Sequence, residues 1–103
     1  MTSIIYSTMG SSAEATQIAR ILVEERLVAC VNIIPTVQSI YRWKGAIEED
    51  TECVLIAKTA DTKIEQTVKR VQALHSYDVP DIVVFPISTG YEPYLHWIEE
   101  ETA

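Results

Sequence analysis

Along this chain, runs of adjacent apolar residues alternate with stretches where apolar residues recur every three or four positions. Ile4-Ile5-Tyr6-Ser7 predicts a short first strand. Ser11-Ser12-Ala13-Glu14 has the spacing of a capping box, in which hydroxyl and carboxylate each satisfy an orphan backbone N–H. Ala15, Ile18, Ala19, Leu22 and Val23 follow at helical spacing and predict a helix to about Arg26. Leu27 to Ile34 is an apolar, β-branched run, a second strand that Pro35 interrupts and that Val37 to Trp43 resumes. Lys44-Gly45 is a turn signal, folding the chain back through Ala46 to Lys58 as a third strand. Thr62-Lys63-Ile64-Glu65 repeats the capping-box spacing and predicts a second helix with Ile64, Val68, Val71 and Leu74 inward. Asp81 to Ile87, which carries Pro86, predicts a fourth strand. A short last helix starts near Pro93, with Tyr94, Leu95 and Ile98 packing inward.

The order β-α-β-β-α-β plus a terminal helix predicts an α+β fold. Two split βαβ units of this length form a ferredoxin-like sandwich, with strands ordered 4-1-3-2 and helices on one face. Proline cannot donate to a sheet ladder and belongs on edge strands. Pro35 and Pro86 fall on the two edges of that order. A two-layer fold leaves the second sheet face in water, where strands alternate apolar with polar. Here Ile4 and Ile5, Ile33 and Ile34, Val54 to Ala57 and Ile82 to Phe85 are apolar at adjacent positions. Exposing that area, at roughly 25 cal/mol per Å², costs several kcal/mol and invites aggregation. The expectation is a homo-oligomer whose partner subunits cover the face, since the terminal helix is short enough to cover only part of it.

Composition narrows the partners. The 103 residues suit one domain, 1–103, with one core, and 48% hydrophobic against 22% charged residues is globular. The formal charge of −7 repels phosphate backbones, and the eight basic residues are unclustered, so nucleic acid is set aside. The first residues lack a basic region followed by a long apolar stretch, and no apolar run nears the ~20 residues of a membrane span. The expected place is the cytoplasm, with no membrane partner. Cys30 and Cys53 show no CxxC spacing, and hairpin pairing about Lys44-Gly45 sets Cys30 opposite Thr59 and Cys53 opposite Thr36, too far apart for a disulfide.

The topology sorts the chemistry by sheet end. The upper end collects Ser7 and Thr8, Tyr41 and Trp43, and His75, Ser76 and Tyr77; the lower end collects Cys30, Lys58 and Thr59. His75 is either a residue favoured by the C-terminal dipole of its helix or a metal ligand. Cys30 is either a small buried hydrophobe or, as the less favoured site, a metal or redox thiol. The two lie roughly 20 Å or more apart by strand rise and cannot share a metal within one chain. His96 belongs on the surface of the last helix. Glu48, Glu49, Asp50 and Glu52 form a solvated charged stretch or, alternatively, a hard-cation site. Trp43 and Tyr41 near the hairpin tip suit anchors of a subunit contact. No phosphate loop, HExxH, GxSxG or nucleophile-base pair is present, so nothing points to an enzyme.

The blocks Leu27-Val28-Ala29-Cys30-Val31-Asn32-Ile33-Ile34-Pro35, Ser39-Ile40-Tyr41-Arg42-Trp43-Lys44-Gly45, Glu52 with Lys58-Thr59, His75-Ser76-Tyr77-Asp78-Val79-Pro80 and Tyr94-Leu95-His96-Trp97-Ile98 resemble, in order, the CutA family of divalent-cation tolerance proteins. The resemblance implies a ferredoxin-like homotrimer similar in plan to the PII signalling trimers, and a role in tolerance of copper and other divalent metals. It also implies an alternative, a PII-like sensor binding a small molecule in an intersubunit cleft lined by Tyr41, Glu52, Lys58 and Tyr77. Bacterial members credited with copper binding carry a cysteine ending the first strand and a histidine pair ending the second helix. Here those positions hold Ser7, Leu74 and His75. Serine and leucine are poor ligands for a soft or borderline metal, so weak copper binding through His75 is the expectation.

Overall fold

The computed structural model describes the whole chain, Met1 to Ala103. Its elements are β1 (Thr2–Met9), α1 (Ser12–Glu24), β2 (Cys30–Trp43), β3 (Ala46–Ala60), α2 (Ile64–Leu74), β4 (Ile82–Pro86) and α3 (Glu92–Glu101). The four strands form one antiparallel sheet in the order β2-β3-β1-β4. This is the expected ferredoxin-like order read from the other edge, and both strand prolines do lie on edge strands. One face of the sheet carries α1 and α2. Ile5 and Met9 of β1 and Leu55 and Ala57 of β3 pack there against Ala15, Ile18 and Leu22 of α1 and Val71 of α2.

Local chemistry departs from the expected boundaries in three places. Ser11 caps α1 by accepting the Glu14 N–H at 3.1 Å, but the Glu14 carboxylate turns away to Ser76, so only half of that capping box forms. The box at Thr62 does not form at all. A 3-10 turn, Asp61–Lys63, leads into α2, and Lys63 at its start makes no side-chain cap. The second strand begins at Cys30 and not at Leu27. Leu27 is buried, but its carbonyl accepts from the hydroxyl of Thr59 (2.6 Å) instead of a ladder N–H, while the Thr67 hydroxyl, 3.2 Å away, gives its single proton to the nearer Lys63 carbonyl (2.7 Å).

The β2–β3 hairpin contains the feature that shapes the functional region. Pairing runs Trp43↔Ala46 down to Val37↔Glu52, and then jumps to Ile34↔Val54. Pro35 and Thr36 together oppose Cys53, which is a β-bulge at a proline that has no N–H to offer the ladder. The bulge moves Cys30 opposite Lys58, one residue from the expected Thr59.

The second sheet face is only partly covered. α3 lies across its lower end, with Ile98 buried and Tyr94 over Cys30 and Lys58. Further up and toward both edges, Ile34 (43%), Val83 (45%) and Phe85 (53%) stay exposed, and Phe85 meets the half-buried Tyr6 edge-on at 6.4 Å.

Candidate functional site

Side chains paired across a ladder share a face. Below the bulge, Ile34 shares the open face with Val54. Above it, Ser39, Tyr41 and Trp43 stand on that same face, in line with Glu52. Tyr6 and Thr8 of β1 flank them, and the segment between α2 and β4 closes the top with Tyr77, Asp78, Val79 and Asp81. These residues enclose a cleft of about 560 Å³ at the upper end of the sheet.

One polar network fixes its floor. Asp81 accepts from the Thr8 N–H (3.2 Å) and from the Thr8 hydroxyl (2.5 Å). That hydroxyl also lies 3.2 Å from Glu52 Oε2, but its single proton goes to the nearer Asp81. Glu52 is held instead by the Tyr77 hydroxyl, which donates to the same Oε2 at 2.6 Å. Burial, and then this bond to Glu52, push the Tyr77 phenol well above its ordinary value. The Tyr41 hydroxyl donates to Asp50, and that bond pushes its phenol up to about 12. Both phenols are therefore neutral donors at physiological pH. The formal charge of the cleft comes from Glu52, Asp78 and Asp81, and no Lys, Arg or His lines it.

His75 sits directly after α2 with its side chain fully buried. Its Nδ1 accepts the Tyr77 backbone N–H at 3.1 Å, so the proton is on Nε2, which donates to the Thr8 carbonyl at 2.8 Å. The ring stacks obliquely on Tyr77 at 4.6 Å. Both nitrogens are thus engaged, and the arrangement offers a metal no free lone pair. The Ser7 hydroxyl is buried without a hydrogen-bond partner. Nowhere do three His, Cys, Asp or Glu side chains converge to hold an ion. The residues present do not make a preformed site for a tightly held metal.

The remaining sequence candidates lie elsewhere. Tyr41, Glu52 and Tyr77 come together in the cleft, as does Trp43, whose ring also has the Lys44 ammonium 5.9 Å from its centroid. Lys58 does not join them. It lies roughly 20 Å further down β3 at ~3.3 Å per residue, donating to Asn32 (2.8 Å) beneath the Tyr94 ring. Cys30 is half-buried at that lower end, its sulfur 3.5 Å from the Tyr94 hydroxyl. It pairs through Lys58 with Ile4, four steps below Thr8 and two strands across, roughly 16 Å by strand geometry. His75 contacts Thr8, so Cys30 is far beyond sharing a ligand with it. His96 is exposed and pairs with Glu100 at 2.8 Å. Sequence reasoning did not single out Tyr6, Ser39, Asp78, Val79 or Asp81. The one available signal was two aspartates bracketing Val79-Pro80 in the segment after α2.

Residues 3–101 match the family model described as CutA1 divalent ion tolerance protein. The "Divalent-cation tolerance protein CutA" of Thermus thermophilus is 47% identical over 102 residues, 99% of each chain. Its solved structure superposes with a TM-score of 0.96, covering 100% of both chains. Mouse "Protein CutA" is 41% identical over 97% of this chain, which spans only 56% of that longer relative. A structure described as the "PII-like protein CutA" from Nostoc, in apo form, has a TM-score of 0.91 at 34% identity, covering 98% of this chain and 97% of that one.

Proposed function

Because the chain belongs to the CutA1 divalent ion tolerance family, we propose that it serves divalent-cation tolerance as a cytoplasmic homotrimeric binding protein and not as an enzyme, receiving its ligand in the upper cleft. The observation that carries this reading is the cleft itself, a concave site of small-molecule size where Tyr41, Trp43, Glu52 and Tyr77 converge. It gathers polar groups that bind and orient, but no nucleophile paired with a base. No helix is long and apolar enough to cross a membrane. Support for the trimer comes from the exposed Ile34, Val83 and Phe85 on the open sheet face, which α3 leaves uncovered and second copies would bury.

Divalent metal enters as a weak ligand. With His75 hydrogen-bonded through both nitrogens, contact falls to cleft carboxylates, or to donors that neighbouring copies bring together. Copper leads the order among divalent ions at such a site, ahead of zinc and manganese. Calorimetric titration with Cu²⁺, Zn²⁺ and Mn²⁺, and then with small organic molecules, tests this on wild type and Glu52→Gln. Weak metal binding and Glu52-dependent uptake of an organic ligand are expected. Tight copper binding that is indifferent to Glu52→Gln rejects the cleft, and light scattering at the 11.6 kDa mass of one chain rejects the trimer.

A further inference from the structure

The chemistry of the cleft walls selects a class of ligand, and this step rests on reading the cleft as the binding site. Its apolar surface is four aromatic rings, those of Tyr6, Tyr41, Trp43 and Tyr77, together with Val79. Its charge is wholly negative. Asp81 is occupied by Thr8, and Glu52 has one oxygen occupied by Tyr77. The second Glu52 oxygen and the Asp78 carboxylate take no hydrogen bond from the chain and remain free to face a ligand.

Each alternative ligand leaves part of this wall unused or opposed. An anion meets three carboxylates and no cation among the lining residues. A neutral apolar molecule would strip water from those carboxylates without replacing it. A bare metal ion needs oxygens converging within its coordination distance, which no triad here provides, and it makes no use of the rings. An alkylammonium group is attracted by both features, since the faces of tryptophan and tyrosine rings carry negative charge density. The Trp43 ring already has an ammonium near it, that of Lys44 at 5.9 Å.

We propose that the cleft binds a small organic cation, an amine or quaternary ammonium compound, with its alkyl groups against the Trp43 and tyrosine rings and its charge toward Glu52 and Asp78. A lysine or arginine side chain from a second copy would satisfy the same wall, and the test separates the two.

The probe is choline chloride, with 3,3-dimethylbutan-1-ol as its neutral isostere, titrated into the full chain in its native assembly. Calorimetry and tryptophan fluorescence report binding. Choline is expected to saturate and to bind at least about tenfold more tightly than the isostere, the difference that ring faces plus a carboxylate impose. Glu52→Gln should weaken it by a similar factor. Asp78→Asn, at an exposed side chain without a hydrogen-bond partner, should do so without disturbing the fold. Equal binding of the isostere overturns the proposal, as does choline binding unchanged in both variants. Absence of saturable choline binding at millimolar concentration also overturns it. If another small molecule binds and responds to Glu52→Gln, the cleft stands and only its cation preference falls. If no ligand responds to Glu52→Gln, both readings fall.

Discussion

His75→Ala removes a ring whose two nitrogens both bond to the backbone. The Thr8 carbonyl loses the donor that now lies at 2.8 Å, and a buried acceptor left unpaired costs about 1–3 kcal/mol. The Tyr77 N–H loses its 3.1 Å acceptor but can turn to water, a net loss of about 0.5–1.5 kcal/mol. Deleting the ring from its contact with Tyr77 adds about 1–2 kcal/mol of lost apolar burial. Together these predict a destabilisation of about 2.5–6.5 kcal/mol, a large share of the ~5–15 kcal/mol that holds a domain of this kind together. His75→Gln, whose amide can still reach the Thr8 carbonyl, should recover about 1 kcal/mol or more. The assay is urea unfolding at fixed protein concentration, because assembly adds to apparent stability. Cu²⁺ affinity is measured alongside on the folded fraction. The expected result is a large fall in the midpoint and little change in copper affinity. An unchanged midpoint with copper binding abolished would show that His75 spends a nitrogen on metal after all.

Three further outcomes follow from the same geometry. Alkaline titration of the tyrosines should show Tyr41 ionising at about 12, and Asp50→Asn should bring it back toward ~10. A folded value above the unfolded one means that this bond supports the fold fully below ~10 and ceases to do so as pH climbs through about 12. Arg70 grips Glu25 through two bonds, at 2.9 and 2.8 Å, tying the end of α1 to α2 and holding the Glu25 carboxyl below its ordinary value. That contribution is present above the unfolded value of ~4.3 and is lost as pH falls through the lower folded value, so Glu25→Gln should slightly flatten the acid limb of a stability–pH curve. Thiol labelling of the native protein should spare Cys53, buried under α1, until unfolding; reaction of Cys53 before Cys30 would contradict the packing.

Most of the topology was legible because it depends on coarse signals. Two apolar periodicities, one turn at Lys44-Gly45 and two edge prolines suffice to order the strands. What escaped depends on fine geometry. The register slipped by one at Pro35 because a bulge is a local backbone choice with no side-chain pattern to announce it. Tyr41 and Tyr77 could be grouped by their end of the sheet; Glu52 and Lys58 joined them only through the family resemblance, and within one chain Lys58 lies at the lower end, where its place in the third strand had put it. Asp81 was invisible because its partner, Thr8, is distant in the chain and meets it only once β1 and β4 pair. The role of His75 turned on which ring nitrogen carries the proton, and only its neighbours' donors and acceptors decide that.

The bulge at Pro35-Thr36 lets the arm carry one residue more than its partner strand without turning over. Two residues stand opposite Cys53, so Val37 meets Glu52 on the face it would have if one of the two were missing. Deleting Pro35 or Thr36 would therefore leave Ser39, Tyr41 and Trp43 in line with Glu52. Straightening the bulge at unchanged length is a different event, because it slips the register by one and reverses every facing beyond it. Gln38, Ile40 and Arg42 would then stand on the cleft side, and a guanidinium would enter a wall that now holds only negative charge. In aligning such chains, a gap at this position is silent about specificity so long as the bulge leaves with the residue.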